Sequence, residues 1–185
     1  MLVFVSHPEI IVDPAVPVPR WHLSPQGIDR ARAFARRVRP PARIVASDET
    51  KAIETAGLIA AAHGLPVAVH PGLAEIDRSA TGYLPHDAHA AVADECFAAP
   101  DRSARGWERA ADAQARILAA WREVAGDGTT MLVGHGGTGT LLLCALAGLP
   151  IARRHDQQRG GCVWAHDGAR LLFAWTPFED LAPGF

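Results

Sequence analysis

Two histidines stand directly after short apolar runs near opposite ends of the chain. His7 follows Val3-Phe4-Val5-Ser6, and His135 follows Met131-Leu132-Val133-Gly134. A short apolar run that ends in a polar residue is typical of a buried strand with a side chain at its tip. Ligands bind at the carboxyl ends of strands in open α/β sheets, so we expect the two imidazoles to share one site.

Two further strand ends add ionisable side chains. A third apolar run leads into a helix whose first turn holds Lys51, and a fourth, Pro66–Val69, is followed by Glu75. The helix macrodipole opposes a cation in the first turn, which favours a role for Lys51 beyond helix stability. A solvated lysine that pairs with Glu54 or Thr55 one turn on is the alternative. The four strand ends thus offer a nucleophile, a cation and a possible proton donor.

The elements between these residues alternate as a mostly parallel sheet requires. Ser24 and Pro25 are typical of a helix start, and Gly64 of a helix end. Asp167-Gly168 between two apolar runs predicts a hairpin. The predicted helices are Pro25–Val38, Glu49–His63, Asp87–Ala98, Ser103–Val124 and Gly137–Ala147, Ser79–Pro85 is a loop, and the hairpin strands are Cys162–His166 and Arg170–Trp175. The sequence therefore predicts an α/β fold of three layers, αβα, with a mostly parallel central sheet and a C-terminal hairpin.

Length and composition agree with a single domain over residues 1–185. Apolar residues make up 49% and charged residues 21% of the chain, which is ordinary for a globular protein. With a net charge of -2, the chain does not have the basic character typical of a nucleic-acid-binding protein. The longest apolar stretch, Gly139 to Ala152, is too short for a membrane span, and the first apolar run stops at Ser6, so we predict neither a membrane anchor nor a signal peptide.

The cysteines and histidines indicate which cellular compartment to expect and whether a metal site is present. Cys96, Cys144 and Cys162 are too few and too irregularly spaced for a disulfide framework, which favours a reducing cytoplasm. His86 and His89 can share a helical face, but two ligands do not make a metal site. We therefore expect no metal, and the oligomeric state stays open.

The order of these segments resembles that of the histidine phosphatase superfamily, the phosphoglycerate mutase-like proteins. The resemblance is carried by Ser6-His7-Pro8, Trp21–Gly27, Ala46–Ala56, Leu73-Ala74-Glu75 and Gly134–Gly137, in the family's order and spacing over roughly the first 150 residues. It implies the phosphoglycerate mutase-like fold. It also implies that the segment after Glu75 forms a lid that selects substrates.

Three residues depart from the family's pattern within the site. Ser6 stands where the family has a phosphate-holding arginine, Pro8 where it has a glycine, and Lys51 where it has a second arginine. A guanidinium binds two phosphate oxygens at once, whereas an ammonium is a point charge and a hydroxyl is neutral. Phosphate should be held more weakly unless another cation enters. Arg20, after a proline-stiffened stretch, is the first candidate, with an exposed surface arginine as the alternative, and Arg78 is the second.

The resemblance implies phosphoryl transfer through a phosphohistidine. Neutral His7 would attack phosphorus in line, with Lys51 and Arg20 lowering its pKa. Glu75 would protonate the leaving alcohol and then take a proton from the attacking water. The groups expected to hold the phosphate oxygens are Ser6, Arg20, Lys51, His135 and the amides that follow it at Gly136. No cofactor is required, and the partner is a small phosphorylated substrate or a phosphorylated protein.

Two other functions stay open at this point. Loss of the first arginine could leave a domain that binds a phosphorylated ligand with little turnover, although His7, Glu75 and His135 are intact. A mutase would keep the phosphohistidine and return the group to a sugar acid. The chain lacks room for the longer insertion of dimeric mutases in the family, so a phosphatase is favoured.

Overall fold

A six-stranded sheet forms the centre of the molecule. The computed structural model describes residues 1–182 and 184–185. The strands are β1 (Leu2–Ser6), β2 (Arg43–Ala46), β3 (Val67–Val69), β4 (Thr130–Gly134), β5 (Cys162–His166) and β6 (Leu171–Pro177), in the order β3-β2-β4-β1-β5-β6. The first four strands are parallel, while β5 runs antiparallel to β1 and β6 antiparallel to β5. The mostly parallel sheet and the C-terminal hairpin are confirmed.

Helices cover both faces of the sheet. They are α1 (Pro25–Ala35), α2 (Thr50–His63), α3 (His86–Ala98), α4 (Ala110–Val124) and α5 (Gly136–Ala147). Successive residues of β1 point to opposite faces, so Val3 and Val5 pack with α1 and α2, whereas Leu2 and Phe4 pack with α4 and α5. These two apolar clusters give the three layers that the sequence predicts.

Helix ends follow the predicted signals with small shifts. The Ser24 hydroxyl accepts from the Gly27 amide at 3.1 Å and caps α1, and Gly64 ends α2 with a φ of 65°. Helix α1 stops at Ala35, before the predicted Val38. Helix α2 begins at Thr50, and Glu49 is its N-cap residue without a side-chain cap.

The fourth helix is shorter than the sequence predicts. It begins at Ala110 rather than Ser103, because Arg105 and Gly106 adopt φ values of 50° and 85° that no right-handed helix contains. Trp107 is buried, but it lies in a turn closed by the Ser103 hydroxyl, which donates to the Trp107 carbonyl at 2.6 Å.

A third apolar cluster lies beside the sheet. Helix α3 contributes Val92, Cys96 and Phe97, which pack with Trp107 and with Leu141 of α5. The segment after Glu75 therefore has its own core rather than being a bare loop. Among the described residues, no helix combines the length and the apolar character needed to cross a membrane.

Candidate active site

The ends of β1 and β4 bring the two predicted histidines together. The His7 amide donates to the Gly134 carbonyl at 3.0 Å, which continues the parallel pairing past the strand ends. The ring centroids of His7 and His135 lie 5.3 Å apart. The structure therefore brings the two imidazoles together at the ends of these strands, as expected.

His7 is held as a neutral imidazole. Its Nδ1 lies 2.8 Å from the Pro8 carbonyl oxygen, which can only accept, so Nδ1 carries the proton and Nε2 keeps its lone pair. Burial lowers the pKa of His7 to about 3, with the neighbouring His135 and Lys51 acting in the same direction. The side chain can therefore attack as a neutral imidazole at neutral pH without prior deprotonation.

His135 is fully buried and bonded through Nε2. That nitrogen lies 2.9 Å from the Ser47 hydroxyl and 3.4 Å from Glu49 Oε1. Burial is the main cause of a lowered pKa for His135, with Lys51 and Arg78 adding to it. Within the described chain its Nδ1 has no hydrogen-bond partner. His135 is thus neutral at pH 7, and its Nε2 is already occupied by side chains of the loop after β2.

Lys51 lies in the site but is already paired. Its ammonium forms an ion pair with the Glu49 carboxylate and donates to the Val18 carbonyl at 3.0 Å, and only 2% of its side chain is exposed. The alternative pairing with Glu54 or Thr55 is wrong for the ammonium, since the Thr55 hydroxyl donates to the Lys51 carbonyl and Glu54 binds elsewhere. The positive charge of Lys51 is neutralised inside the protein.

Glu49 is a site residue that the sequence reasoning missed. It is 6% exposed, and its Oε1 accepts from the Glu75 amide at 2.9 Å. Burial alone would raise the pKa of Glu49, but His135 and Lys51 outweigh it and lower the pKa to about 2. A carboxylate two residues before Lys51, directly after a buried strand, was the available signal.

Glu75 sits at the N-terminus of α5. Its carboxylate accepts from the amides of Gly137 at 3.1 Å and Thr138 at 2.9 Å, and a Cβ on Gly137 would lie 2.7 Å from Oε1. Burial opposes ionisation, but His135, Arg78 and the Ile76 amide lower the pKa of Glu75. The free site therefore holds Glu75 as a base, whereas the expected first role was that of a proton donor.

The Ser6 hydroxyl is not turned toward a ligand. It donates to Gln157 Oε1 at 2.6 Å and accepts from the Cys162 amide at 3.0 Å, and Ser6 is fully buried. The predicted contact of Ser6 with a phosphate oxygen would require its hydroxyl to give up the bond to Gln157. Gln157 was missed by the sequence reasoning. It also packs so closely on Gly136 that a Cβ there would clash with its amide.

The two candidate arginines lie in different surroundings. Arg20 ends a short 3-10 helix, Val18–Arg20, and is exposed, so the prediction that it replaces the missing arginine is not supported. Arg78 is half-buried, donates to His89 Nε2 and lies 5.7 Å from the centre of the Trp107 ring. Within residues 1–182 and 184–185 it forms no ion pair with a carboxylate. Arg78 is thus a cation of the cavity wall that no carboxylate contacts directly within the described residues.

A cavity of about 510 Å³ opens over Glu49 and Glu75. One wall is formed by the proline-rich loop at residues 17–19, and another is formed by the segment after Glu75. The lining residues are Pro17, Val18, Pro19, Asp48, Glu49, Ala74, Glu75, Ile76, Asp77, Arg78, Ser79 and Gly82. In the described part of the chain, no three His, Cys, Asp or Glu side chains are grouped as metal ligands would be.

Comparison with known proteins agrees with this arrangement. The structure of a mycobacterial glucosyl-3-phosphoglycerate phosphatase with inorganic phosphate is similar to this chain at a TM-score of 0.75 and 25% identity, over 96% of this chain and 98% of that one. A complex of the mycobacterial phosphatase with VO3 has a TM-score of 0.72 and 27% identity, over 95% and 98% of the two chains.

Bacillus stearothermophilus YhfR is similar in fold, with a TM-score of 0.77, 22% identity and coverage of 98% of this chain and 97% of that one. A search of curated proteins found no match. The model of the histidine phosphatase superfamily (branch 1) matches residues 18–165. Since that match spans most of the sheet and the residues after each parallel strand from β2 onward, the chain belongs to the histidine phosphatase superfamily.

Proposed function

We propose that this protein is a phosphoric monoester hydrolase that acts through a phosphohistidine at His7. The observation that supports it best is the state of His7, which is neutral, with its Nδ1 hydrogen bonded to the Pro8 carbonyl and its Nε2 lone pair free. A nucleophile must carry a lone pair and be held in one orientation before it attacks. His7 meets both conditions.

In the first step the Nε2 lone pair of His7 forms a bond to phosphorus, and the bond from phosphorus to the ester oxygen breaks. The leaving oxygen needs a proton. Glu75 can supply it only once it is protonated, and a bound phosphate dianion next to its carboxylate would raise its pKa in that direction. Esters with good leaving groups need no such proton.

In the second step water attacks the phosphohistidine and the bond from phosphorus to nitrogen breaks. Glu75, held ionised by two amides at the start of α5, accepts the water proton. His7 returns to its neutral state, and inorganic phosphate leaves. The scheme uses only side chains and amides of this chain, and we propose that it proceeds without a metal ion.

The phosphoryl oxygens need positive partners in both steps. Arg78 supplies a charge at the cavity wall that no carboxylate of the described residues contacts directly, and Gly136 places an amide directly after His135 at the start of α5. Lys51 contributes less than a free cation would because Glu49 already neutralises it. This assignment moves the role predicted for Arg20 to Arg78.

The cavity suits a metabolite-sized leaving group. A volume of about 510 Å³ lies in the usual range for small-molecule sites. Its apolar side is made of Pro17, Val18 and Pro19, and its polar side chains include Asp48 and Asp77. We propose phosphorylated sugars and sugar acids as the first substrates to test, with glucosyl-3-phosphoglycerate among them because a structural neighbour carries that name.

One group of contacts favours a second function. Ser6 is bonded to Gln157, and the charge of Lys51 is taken by Glu49, so the site holds fewer free phosphate donors than expected. Such a site suits a domain that binds a phosphorylated ligand and turns it over slowly. Turnover numbers distinguish the two functions.

The test is a panel of phosphomonoesters assayed at fixed pH with wild type, His7→Ala and His86→Ala. We expect His7→Ala to lose at least about 10³-fold in turnover, as removal of a nucleophile usually does. His86 is exposed and lies outside the site, so His86→Ala should match wild type. Binding without turnover in wild type would favour the second function, and equal turnover in His7→Ala would refute the nucleophile.

A further inference from the structure

The acidic side chain that the proposed mechanism does not use is Glu49. It is buried, it lines the cavity, and it lies next to His135, whose ring neighbours that of His7. Its Oε1 accepts from the Glu75 amide and faces His135 Nε2 at 3.4 Å, while its Oε2 pairs with the Lys51 ammonium. The Lys51 ammonium and the Glu75 amide therefore already hold an anion that is part of the protein, with the His135 ring beside it.

A phosphoryl group on His7 would need the same surroundings. The rings of His7 and His135 are 5.3 Å apart, so a phosphoryl group on His7 would lie in the same part of the site as His135. Phosphate oxygens seek charged and N–H donors, and Lys51, whose charge acts on His7, is held by the Glu49 carboxylate. Substrate and Glu49 thus require the same partners.

The net charge of the site also indicates that phosphate and Glu49 compete. His7 and His135 are neutral at pH 7, and the positive charges of Lys51 and Arg78 are matched by the negative charges of Glu49 and Glu75. The site therefore has no net positive charge with which to attract a phosphate dianion. Loss of one carboxylate charge would change that balance.

We propose that the Glu49 carboxylate acts as a built-in competitor of phosphate, occupying Lys51 and His135 so that a phosphoryl group binds only by displacing it. Glu49 then sets the affinity of the site for phosphate and favours release of the phosphate product. This role rests on the proposed function, because it places the phosphoryl group at His7.

The experiment measures the dissociation constants of inorganic phosphate and orthovanadate by calorimetry, which needs no turnover. Glu49→Gln keeps the size and hydrogen-bonding ability of the side chain but removes its charge. We expect it to bind phosphate at least about tenfold more tightly than wild type, as release of a close charged partner allows.

Asp48→Asn is the matched control. Asp48 also lines the cavity and carries one negative charge, but it is exposed and contacts neither Lys51 nor His135. If only the net charge of the protein mattered, Glu49→Gln and Asp48→Asn would change the dissociation constant of phosphate alike. The proposal instead predicts a change of less than about threefold for Asp48→Asn, since exposed charges are screened. Equal affinities in Glu49→Gln and Asp48→Asn would overturn it.

Glu49→Gln leaves Lys51 buried without its counter-ion, which can prevent folding. If Glu49→Gln does not fold, phosphate binding by Lys51→Arg tests the proposal instead. A guanidinium has donors for both Glu49 and a phosphate oxygen. We expect it to bind phosphate several-fold more tightly, and unchanged or weaker binding would overturn the proposal. Repeating the measurements in a His7→Ala background separates the two claims, since failure of the nucleophile assignment leaves the affinity shift in place.

Discussion

The two halves of the site differ in how closely they follow the resembled family. On the histidine half, β1 and β4 deliver His7 and His135 side by side, and both imidazoles are neutral. On the cation half, Ser6 is bonded to Gln157, and Lys51 is paired with Glu49. The proposed nucleophile is preserved, while the charges expected to hold a phosphoryl group are rearranged.

This difference shows that the capacity for attack and the strength of anion binding are set by separate residues. Burial and the Pro8 carbonyl prepare His7 without help from any free cation. Anion binding depends on side chains whose charges are available, and here Arg78 is more available than Lys51. Substitutions in the two halves should therefore have different effects on turnover and on affinity.

The largest effect in this comparison is expected from Glu75→Gln. Because Glu75 is ionised in the free site and accepts from the amides of Gly137 and Thr138, its clearest role is to take a proton from water in the second step. Turnover of esters with poor leaving groups should fall by about 10² to 10⁴. With aryl phosphates a burst of alcohol should appear before slow hydrolysis.

Glu95→Gln is the control, since Glu95 is exposed on α3 and its recorded ion pair is with Arg105 rather than with a residue of the site. Rapid-quench measurements of the alcohol and of inorganic phosphate check the two steps separately. A Glu75→Gln enzyme that loses the same factor on both classes of ester, without any burst, would contradict the assigned proton transfer.

A smaller effect should separate the two candidate arginines. Arg78→Ala removes the cation that faces the cavity, so inhibition by vanadate should weaken by about 10- to 100-fold, the range for one lost charged hydrogen bond. Arg20→Ala removes an exposed side chain and should leave inhibition within about twofold. If Arg20→Ala weakened vanadate and Arg78→Ala did not, the original prediction for Arg20 would be restored.

The smallest effect concerns pH, where the histidine half predicts almost no change. With a pKa of about 3, His7 stays neutral between pH 5 and 7, whereas an ordinary histidine would be mostly protonated at pH 5 and lose roughly 30-fold in its neutral form. After correction for the second ionisation of the substrate phosphate, the value of kcat/KM for an aryl phosphate should therefore be flat over that range. A residual inflection near pH 6.5 would show that His7 titrates normally.

The lowered pKa of His7 also makes the stability of the protein depend on pH. The unfolded chain binds a proton at His7 below about pH 6.5, but the folded protein does not until about pH 3, so the free energy of unfolding should fall as the pH drops through this interval. Circular dichroism at each pH separates this loss of folded protein from a true change in kcat/KM.

The sequence predicts the scaffold well because apolar periodicity and helix-end signals are local. The strand ends that carry His7, Glu75 and His135, the Ser24 cap and the Gly64 stop all follow from neighbouring residues. Helix α4 is the exception, since the left-handed turn at Arg105 carries no strong local signal. The resemblance to the histidine phosphatase superfamily adds the pairing of strands that are distant in sequence.

The charges of the site are harder to predict because they depend on contacts between distant segments. Gln157 reaches Ser6 from 151 residues away, and nothing near Ser6 indicates that partner. Arg20 and Arg78 look alike in sequence, yet the fold leaves one exposed and places the other at the cavity wall. Which cation is free is decided by tertiary packing rather than by residue type.

The most direct test of the account is to trap the covalent intermediate. Wild type is mixed with an aryl phosphate, quenched within milliseconds, kept at alkaline pH and digested for mass spectrometry, with Glu75→Gln as the variant in which the intermediate should accumulate. We predict a phosphoryl group on His7 and none on His135. Steady turnover without label on His7, or label on another residue, would contradict the assignment of His7 as the nucleophile.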